Sequence, residues 1–600
     1  MRLPSVGIIL FFQLAWGQSL TDTQAQVLRR IYHDKAASNF NSEFEDSDFF
    51  INPRGSSHFD LEFASLIEAY KDPTKKFTKD QLPAACLFPA RKKILEKLLD
   101  LKFPNPFCKD YEAWRSRLKT THLSLLFAGA YSQNPASLFG HTMIRLSDRG
   151  DQVRTSPLLS YVVGFLAQTG EDGTLTRFQK GLTGKYPGFF QLEPFYMKLG
   201  LYNNSESRDI WEVDLNLSAQ EIDLFLDHLW EVSRFAKPYF FVKKNCSYQL
   251  LKLLEAVKSD LNLTHAIYLE TLPHETVRMM TDQGLATQSY LFYPSLQRKL
   301  TEKIRTMNSQ QKDNFNRALQ SEEAMLKTQD VLVLDTLIMH WQLKNYQSNL
   351  KLKPSESVLM EKTYLQRSQV SAESSDSGQV HQTHGPKPPF QGHRSRQVKL
   401  GSNHKTGTVS YRSGVHGFDQ STLGFDDFSA IQYLGMDAHL DYKSPQYSEY
   451  DFILADIRSF EDWFSQELKK SWLLKINFQS KSEFQESKSS TFNSKAGIGL
   501  SHSWGTFRAY SLMVLKSESL LARQTQTLVR IGVLSGFKIE FNKHRILAEL
   551  DTEFLKSGTR QQPLFQWAYS LNLNNSILAR YEPLFVNDQM STSLNFEHNF

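Results

Sequence analysis

Tyr239-Phe240-Phe241-Val242-Lys243-Lys244-Asn245-Cys246-Ser247-Tyr248 decides how the middle of this chain is read. Four apolar residues predict a short buried strand. Asn245-Cys246 then opens a run whose Leu250, Leu251, Leu253 and Leu254 predict a helix. The thiol therefore sits in a first helical turn, where unpaired amides and the macrodipole favour the thiolate. Lys243 and Lys244 add positive charge if they face it. A thiolate with a histidine partner carries out acyl transfer through a covalent intermediate. In that chemistry the amide of Cys246 supplies half of an oxyanion hole. The competing reading is a buried cysteine with a structural role only.

Upstream, residues 123–127 and 142–146 read as strands on either side of a Gly/Pro/Asn/Ser loop at 129–140. His141 lies where that loop enters the second strand, at the mouth of a small sheet, and is the candidate partner. Its rivals are His122 and His228. The latter sits on a helix opened by the capping box Ser218 to Glu221, on a face expected to meet solvent. Zinc is disfavoured, because Cys86 and Cys108 are distant and no paired-ligand spacing surrounds Cys246. No cofactor is called for.

The N-terminus predicts export. Arg2, the apolar stretch 6–14 and the small-x-small site Ala15-Trp16-Gly17 form a secretory signal at 1–17. Export makes the three cysteines informative. Cys86 and Cys108 bracket one predicted helix and are the natural disulfide pair, which leaves Cys246 free. Lys and Arg number 69 against 64 Asp and Glu, an excess of five interspersed along 600 residues. A nucleic-acid binder concentrates its charge in a stripe, and none is present. A mean hydropathy of −0.42 excludes a helical membrane protein.

The remaining organisation follows composition and period. Residues 18–118 read as a helical N-terminal domain, 119–295 as the Cys/His domain and 296–367 as a polar helical segment. Residues 368–397, rich in Ser, Gln, His, Gly and Pro, read as a solvated linker that includes His381, His384 and His393. From 398 to 600 the period becomes two. Trp472, Leu474, Ile476 and Phe478 share one face, as do Ile498, Leu500 and Trp504, and also Leu550 and Phe554. About ten such segments, each near the length of a tilted membrane strand, predict an antiparallel barrel. Lys475, Asn493, Glu549 and Asp551 then line its interior. A soluble β-sandwich shares the period and is the alternative. The fold class is α+β: helical domain, mixed α+β Cys/His domain, antiparallel barrel.

Four motifs carry a resemblance to a known family. They are Ser137-x-Phe139-Gly140-His141-Thr142, Gly181-Leu182-x-Gly184-x-Tyr186-Pro187-Gly188-Phe189, Glu206-x-Arg208-Asp209-Ile210-Trp211-Glu212 and Asn245-Cys246-Ser247-Tyr248. In this order they resemble the periplasmic N-terminal domain of the lipoprotein N-acyltransferase Lnb. The flanks are similar to the wider family through Cys86-Leu87-Phe88-Pro89-Ala90-Arg91 and Gly392-His393-x-Ser395. The His-before-Cys order is also similar to circularly permuted papain-like enzymes, such as lecithin retinol acyltransferase and NlpC-type peptidases. Residues 592–600, ending on Phe600, resemble the C-terminal signature of outer-membrane barrels.

The resemblance implies a papain-like fold with Cys246 as nucleophile, His141 as general base and Asn245 beside them. Relatives often carry Asn where this chain has Gly164, so Ser160 and Tyr161 are the local candidates for orienting His141. The β domain departs too, with His416-Gly417 where His-Asp is common. The implied function is an exported acyltransferase or hydrolase acting on membrane lipid or lipoprotein acyl chains. The implied location is the outer membrane, with the enzyme domain in the periplasm. A peptidoglycan amidase or endopeptidase, and a non-catalytic envelope scaffold, are the alternative functions.

Overall fold

The computed structural model describes residues 20–600 apart from 36–38, 131–139, 149–159, 268, 349, 371–384, 426–428, 444–448, 461–470, 481–489, 522–526, 556–557 and 584–589. The expected signal, the Ser137-Leu138-Phe139 part of the histidine motif, His381 and His384 lie outside those residues. The chain divides into two compact units, one within the residues up to Gly385 and one from Pro386 to Phe600.

The first unit begins with helices α1 (Asp22–Arg30), α2 (Phe59–Lys71), α3 (Pro89–Leu99) and α4 (Lys109–Arg117). Thr21 and Gln24 form a capping box on α1. A proline opens α3, where the missing N–H costs nothing. The expected bridge is present: Cys86 and Cys108 are joined, and Cys246 is free. The helices pack onto the sheet-bearing part of the same unit. Trp230 Nε1 donates to the Cys86 carbonyl at 2.9 Å, and Arg91 lies 3.6 Å from Glu231.

The sheet has seven antiparallel strands in the order β6-β4-β3-β2-β1-β5-β7. They are β1 (His122–Ala128), β2 (His141–Ser147), β3 (Tyr161–Ala167), β4 (Tyr186–Pro194), β5 (Ile210–Asp214), β6 (Lys237–Tyr239) and β7 (Leu291–Tyr293). Around it lie α5 (Thr174–Leu182), α6 (Ala219–Val232), α7 (Cys246–Val257) and α8 (Pro273–Asp282). Both expected strands flanking the histidine loop are found. The expected strand at 239–242 is not, because β6 ends at Tyr239 and residues 240–244 form a half-exposed loop.

Side chains alternate across β2. Met143 joins Leu126, Ala128, Val162, Phe195, Tyr202, Ile210 and Tyr293 in one core. On the opposite face, Thr142 Oγ1 meets Ser247 Oγ of α7 at 2.8 Å. His228 also departs from expectation. It is fully buried on α6, 3.1 Å from His33 and 3.3 Å from Glu231.

The second unit is a closed barrel of twelve antiparallel strands, from β8 (Gln397–Ser402) to β19 (Met590–Asn599), where about ten were expected. β8 closes the ring by pairing with β19, Gln397 opposite Asn599. Outward positions such as Leu400, Phe452, Ile498, Met513, Ile531 and Phe596 are exposed and apolar. Inward positions are charged and paired. Arg458 meets Glu549 at 2.6 Å, Lys495 meets Asp551 at 2.7 Å and Lys516 meets Glu553 at 2.5 Å. Further along, Phe418, Phe460, Leu473, Tyr510, Leu512, Leu534 and Leu547 form an apolar cluster inside the ring. Strand alternation therefore yields an apolar exterior and an interior of ion pairs and packed rings, with a cavity of about 250 Å³ beside Lys495, Leu534, Glu549 and Asp551. His393, expected in a solvated linker, is buried. Its Nε2 lies 2.9 Å from His416 Nδ1, and Phe425 stacks on both rings.

Candidate active site

Cys246 is the first residue of α7, and Asn245 is its cap. Asn245 Oδ1 accepts from the amides of Ser247 at 3.1 Å and Tyr248 at 3.3 Å. Its Nδ2 donates to the carbonyls of Thr271 at 2.7 Å and Phe241 at 3.2 Å. One side chain thus ties the helix start to two loops and fixes where the sulfur points. In this structure Asn245 is a positioning residue.

The sulfur meets the sheet where β2 and β3 part. Their ladder holds only Ile144 to Val163, Arg145 to Val162 and Leu146 to Tyr161. Val163 is the last β3 residue in that ladder, so the Thr142 amide lies beyond its end, although Thr142 still pairs with Phe127 of β1. That amide and the Tyr239 hydroxyl are hydrogen-bond donors to the Cys246 sulfur, and Ser247 Oγ lies 3.9 Å away. Tyr239 is itself held flat against Phe165, with ring centroids 5.6 Å apart.

His141 precedes Thr142 at the same open end of β2. Its ring packs near Tyr202, 6.0 Å between centroids, on the π-helical turn Gly200–Ser205. Arg208 stacks on the other partner of that contact, 4.7 Å from the Tyr202 ring, and holds the Ala128 and Gly129 carbonyls. His141 is not among the hydrogen-bond partners of the sulfur in this structure, and its Nε2 is buried with no partner among the described residues. A Cβ added at Gly164 would lie 3.8 Å from that Nε2. The glycine therefore stands at the place from which a side chain would reach the imidazole.

Ser160 and Tyr161 are not brought to His141. Ser160 Oγ accepts from Arg145 Nε at 3.0 Å, and Tyr161 pairs with Leu146 and Pro194. Leu146 is five residues along β2 from His141, roughly 16 Å at about 3.3 Å per residue.

The electrostatics differ from the expected thiolate. Burial pushes the Cys246 thiol up, against the hydrogen bonds that favour its charged form. Burial, followed by Arg208 and Lys198, lowers His141 to about 3. The resting pair is therefore a neutral thiol and a neutral imidazole across ordinary pH. Lys244 does not face the sulfur. It pairs with Glu43 at 3.0 Å, and Glu43 also meets Lys237 at 3.1 Å and accepts from Tyr248 at 2.9 Å. Burial works against charge on Glu43, but Lys237 and Lys244 outweigh it and hold the carboxylate at about 2. Glu43 thus grips the chain on both sides of Cys246.

The glycine motif has a steric cause. A Cβ on Gly181 would lie 2.4 Å from the Phe241 ring, one on Gly184 2.2 Å from Phe240, and one on Gly188 2.5 Å from Phe165. Gly181 and Gly184 seat the rings of the loop that leads into Cys246, and Gly188 seats the β3 ring that stacks on Tyr239. Glu43, Tyr202 and Tyr239 were not expected at the site; their pairing spans up to 205 residues of sequence, beyond any local spacing.

Alkylation by iodoacetamide checks this picture. Cys246 is expected to react more slowly than a free cysteine at pH 7. The rate should rise with pH up to and beyond the ordinary thiol range, because only the thiolate reacts. A plateau already reached near pH 6 would show a stabilised thiolate and contradict the buried neutral pair.

A closed barrel with an apolar exterior, joined in one chain to a domain of a periplasmic family, makes this an outer-membrane barrel protein with a periplasmic domain. Residues 110–283 match the family model of the Lnb N-terminal periplasmic domain. Residues 21–98 and 386–599 match two domains of unknown function, DUF7843 and DUF7840. No curated protein matches the chain. Among solved structures the chain is similar to the KdgM porin, at 9% identity and a TM-score of 0.23, covering 34% of this chain and 98% of that one. Outer membrane phospholipase A from Escherichia coli is 6% identical, with a TM-score of 0.22, covering 36% and 95%. The translocator domain of autotransporter NalP from Neisseria meningitidis is 13% identical, with a TM-score of 0.19, covering 34% and 86%.

Proposed function

We propose that this protein is a thiol acyltransferase or hydrolase that takes acyl chains from envelope lipid or lipoprotein through a thioester on Cys246. The observation that carries the reading is the position of the sulfur. It opens a capped helix at the gap between β2 and β3, receives the Thr142 amide, and has His141 as the next residue along that strand.

In this reading the Cys246 S–H proton passes to His141 as sulfur attacks the ester carbonyl carbon. The new S–C bond forms, the ester C–O bond breaks, and the departing oxygen takes the proton from the imidazole. An amine or water then attacks the thioester, its proton leaves through His141, and the thiol is regenerated. A pair that is neutral at rest acquires charge only as the reaction proceeds. The Thr142 amide, which donates to the sulfur, steadies the charge as it builds there. The match to the Lnb N-terminal periplasmic domain supports the substrate class.

The test is intact-mass spectrometry of the full chain in detergent, incubated with phospholipid or with a triacylated lipopeptide. A fatty-acyl increment on the wild type, labile to hydroxylamine and absent from Cys246→Ala, is the expected result. His141→Ala should reduce its formation by about 100-fold or more. A peptide-mass adduct from muropeptides, or an acyl adduct that persists in Cys246→Ala, would overturn the reading.

A further inference from the structure

Beside the thiol the first unit carries a small lobe that the proposed chemistry does not use. Residues 240–244 arch over α5, with the Phe241 amide donating to the Gly181 carbonyl at 2.9 Å. Thr271 holds the other side of the arch. Its amide donates to the Val242 carbonyl at 2.8 Å and its hydroxyl to the Lys243 carbonyl at 2.5 Å. The arch is thus pinned at both flanks while Phe240 and Phe241 remain half-exposed.

The two segments that pin the arch also carry Leu182, 40% exposed at the end of α5, and Leu269, 51% exposed two residues before Thr271. Lys185 and Lys243 are exposed and make no ion pair among the described residues. Nearby acids are already engaged: Glu43 by Lys237 and Lys244, and Asp172 by Lys180 at 2.8 Å and the Tyr186 hydroxyl at 2.6 Å. The lobe therefore presents two exposed leucines and two partly buried phenylalanines bordered by two lysines, and Glu270, between Leu269 and Thr271, is buried.

Exposed aromatic and aliphatic side chains normally cost a soluble domain solubility, and singly they need no explanation. Here they are clustered, fixed in place by specific hydrogen bonds, and bordered by lysine. That combination suits the boundary of a bilayer. The apolar side chains enter the acyl region, while lysine meets anionic headgroups. The same chain carries a barrel with an apolar exterior, which places a bilayer in its surroundings.

We propose that this lobe, formed by Leu182, Lys185, Phe240, Phe241, Lys243 and Leu269, is an interfacial contact site for an anionic phospholipid surface. The inference does not depend on chemistry at Cys246. It does have a consequence for that chemistry, because Phe241 and Lys243 lie within five residues of the sulfur in the chain. Lipid contact there would hold the thiol at the boundary where ester carbonyls lie.

The full chain, reconstituted in nanodiscs, tests this. In a Cys246→Ser background, a fluorophore is placed at Leu182→Cys, at Leu269→Cys and, as control, at Leu365→Cys, which is 56% exposed on another helix. Discs of phosphatidylcholine and phosphatidylglycerol contain a doxyl-labelled lipid as quencher. Quenching at 182 and 269 is expected to exceed that at 365 by about two-fold or more. It should weaken when phosphatidylglycerol is omitted, and Lys185→Glu with Lys243→Glu should lower lobe occupancy by about five-fold per lysine. Quenching equal to the control would overturn the proposal. Quenching that ignores phosphatidylglycerol would overturn the anionic assignment. Shielding of the labels from iodide without doxyl quenching would show that protein covers the lobe, and would overturn it as well.

Discussion

Arg91→Ala is expected to destabilise the first unit by about 3–5 kcal/mol, the cost of leaving buried charges without their partner. Arg91 is fully buried on α3. Its guanidinium lies 3.9 Å from the Phe88 ring centroid, 4.1 Å from Phe49 and 4.4 Å from Tyr32. It donates to the Phe49 carbonyl at 2.8 Å and stands 3.7 Å from Glu62 and 3.6 Å from Glu231. Removing it strands both carboxylates in an aromatic cage. Glu62 is already raised by burial with the cation in place. Chemical denaturation of the detergent-solubilised chain, followed by tryptophan fluorescence, reads the loss. Arg91→Ala combined with Glu62→Gln and Glu231→Gln should recover part of it. A loss below about 1 kcal/mol for the single variant would mean the cage is not the stabilising feature.

The second large effect concerns neighbouring residues on one barrel strand. Leu550 faces outward, whereas Glu549 is buried against Arg458, with Tyr510 hydrogen-bonded to it. Leu550→Arg should cost about 2–4 kcal/mol if its position lies near the bilayer midplane. Glu549→Leu should cost about 3–5 kcal/mol, since Arg458 would keep Asp456 at 3.5 Å as its acidic partner among the described residues. Heat-modifiable migration on gels reports the folded fraction of each variant. If both substitutions were neutral, the assignment of lipid and lumen faces would be wrong.

The barrel was legible because its code is local. A period of two needs only neighbouring residues, and both the lipid face and the closing strand follow from it. The shortfall of about ten strands against twelve reflects short members such as β8, whose six residues include Lys399, Gly401 and Ser402. The thiol, its helix, its histidine and the disulfide were legible from motif order and cysteine arithmetic. Their protonation was not. A helix terminus argues for a thiolate, but burial reverses it, and Thr142, which packs against that helix start, is 105 residues from its partner Ser247. Lys244 favours the thiolate only if it faces the sulfur, and Glu43, far upstream in sequence, takes its charge instead. His228 and His393 were read as solvated from polar neighbours, and both are enclosed by partners remote in sequence. Gly164 marks the other limit. A missing side chain was visible in the sequence, but only the structure shows that it leaves the His141 Nε2 without a neighbour to bond.

The ion pairs inside the barrel bear on how its cross-section is held. Arg458, Lys495 and Lys516 each reach an acid on the strand His544–Leu555, which is not the ladder neighbour of any of their own strands. These pairs act as struts across the ring, leaving a cavity of about 250 Å³ beside Lys495, Leu534, Glu549 and Asp551. A ring braced in this way resists flattening from within, which the ladder hydrogen bonds around its wall cannot do alone.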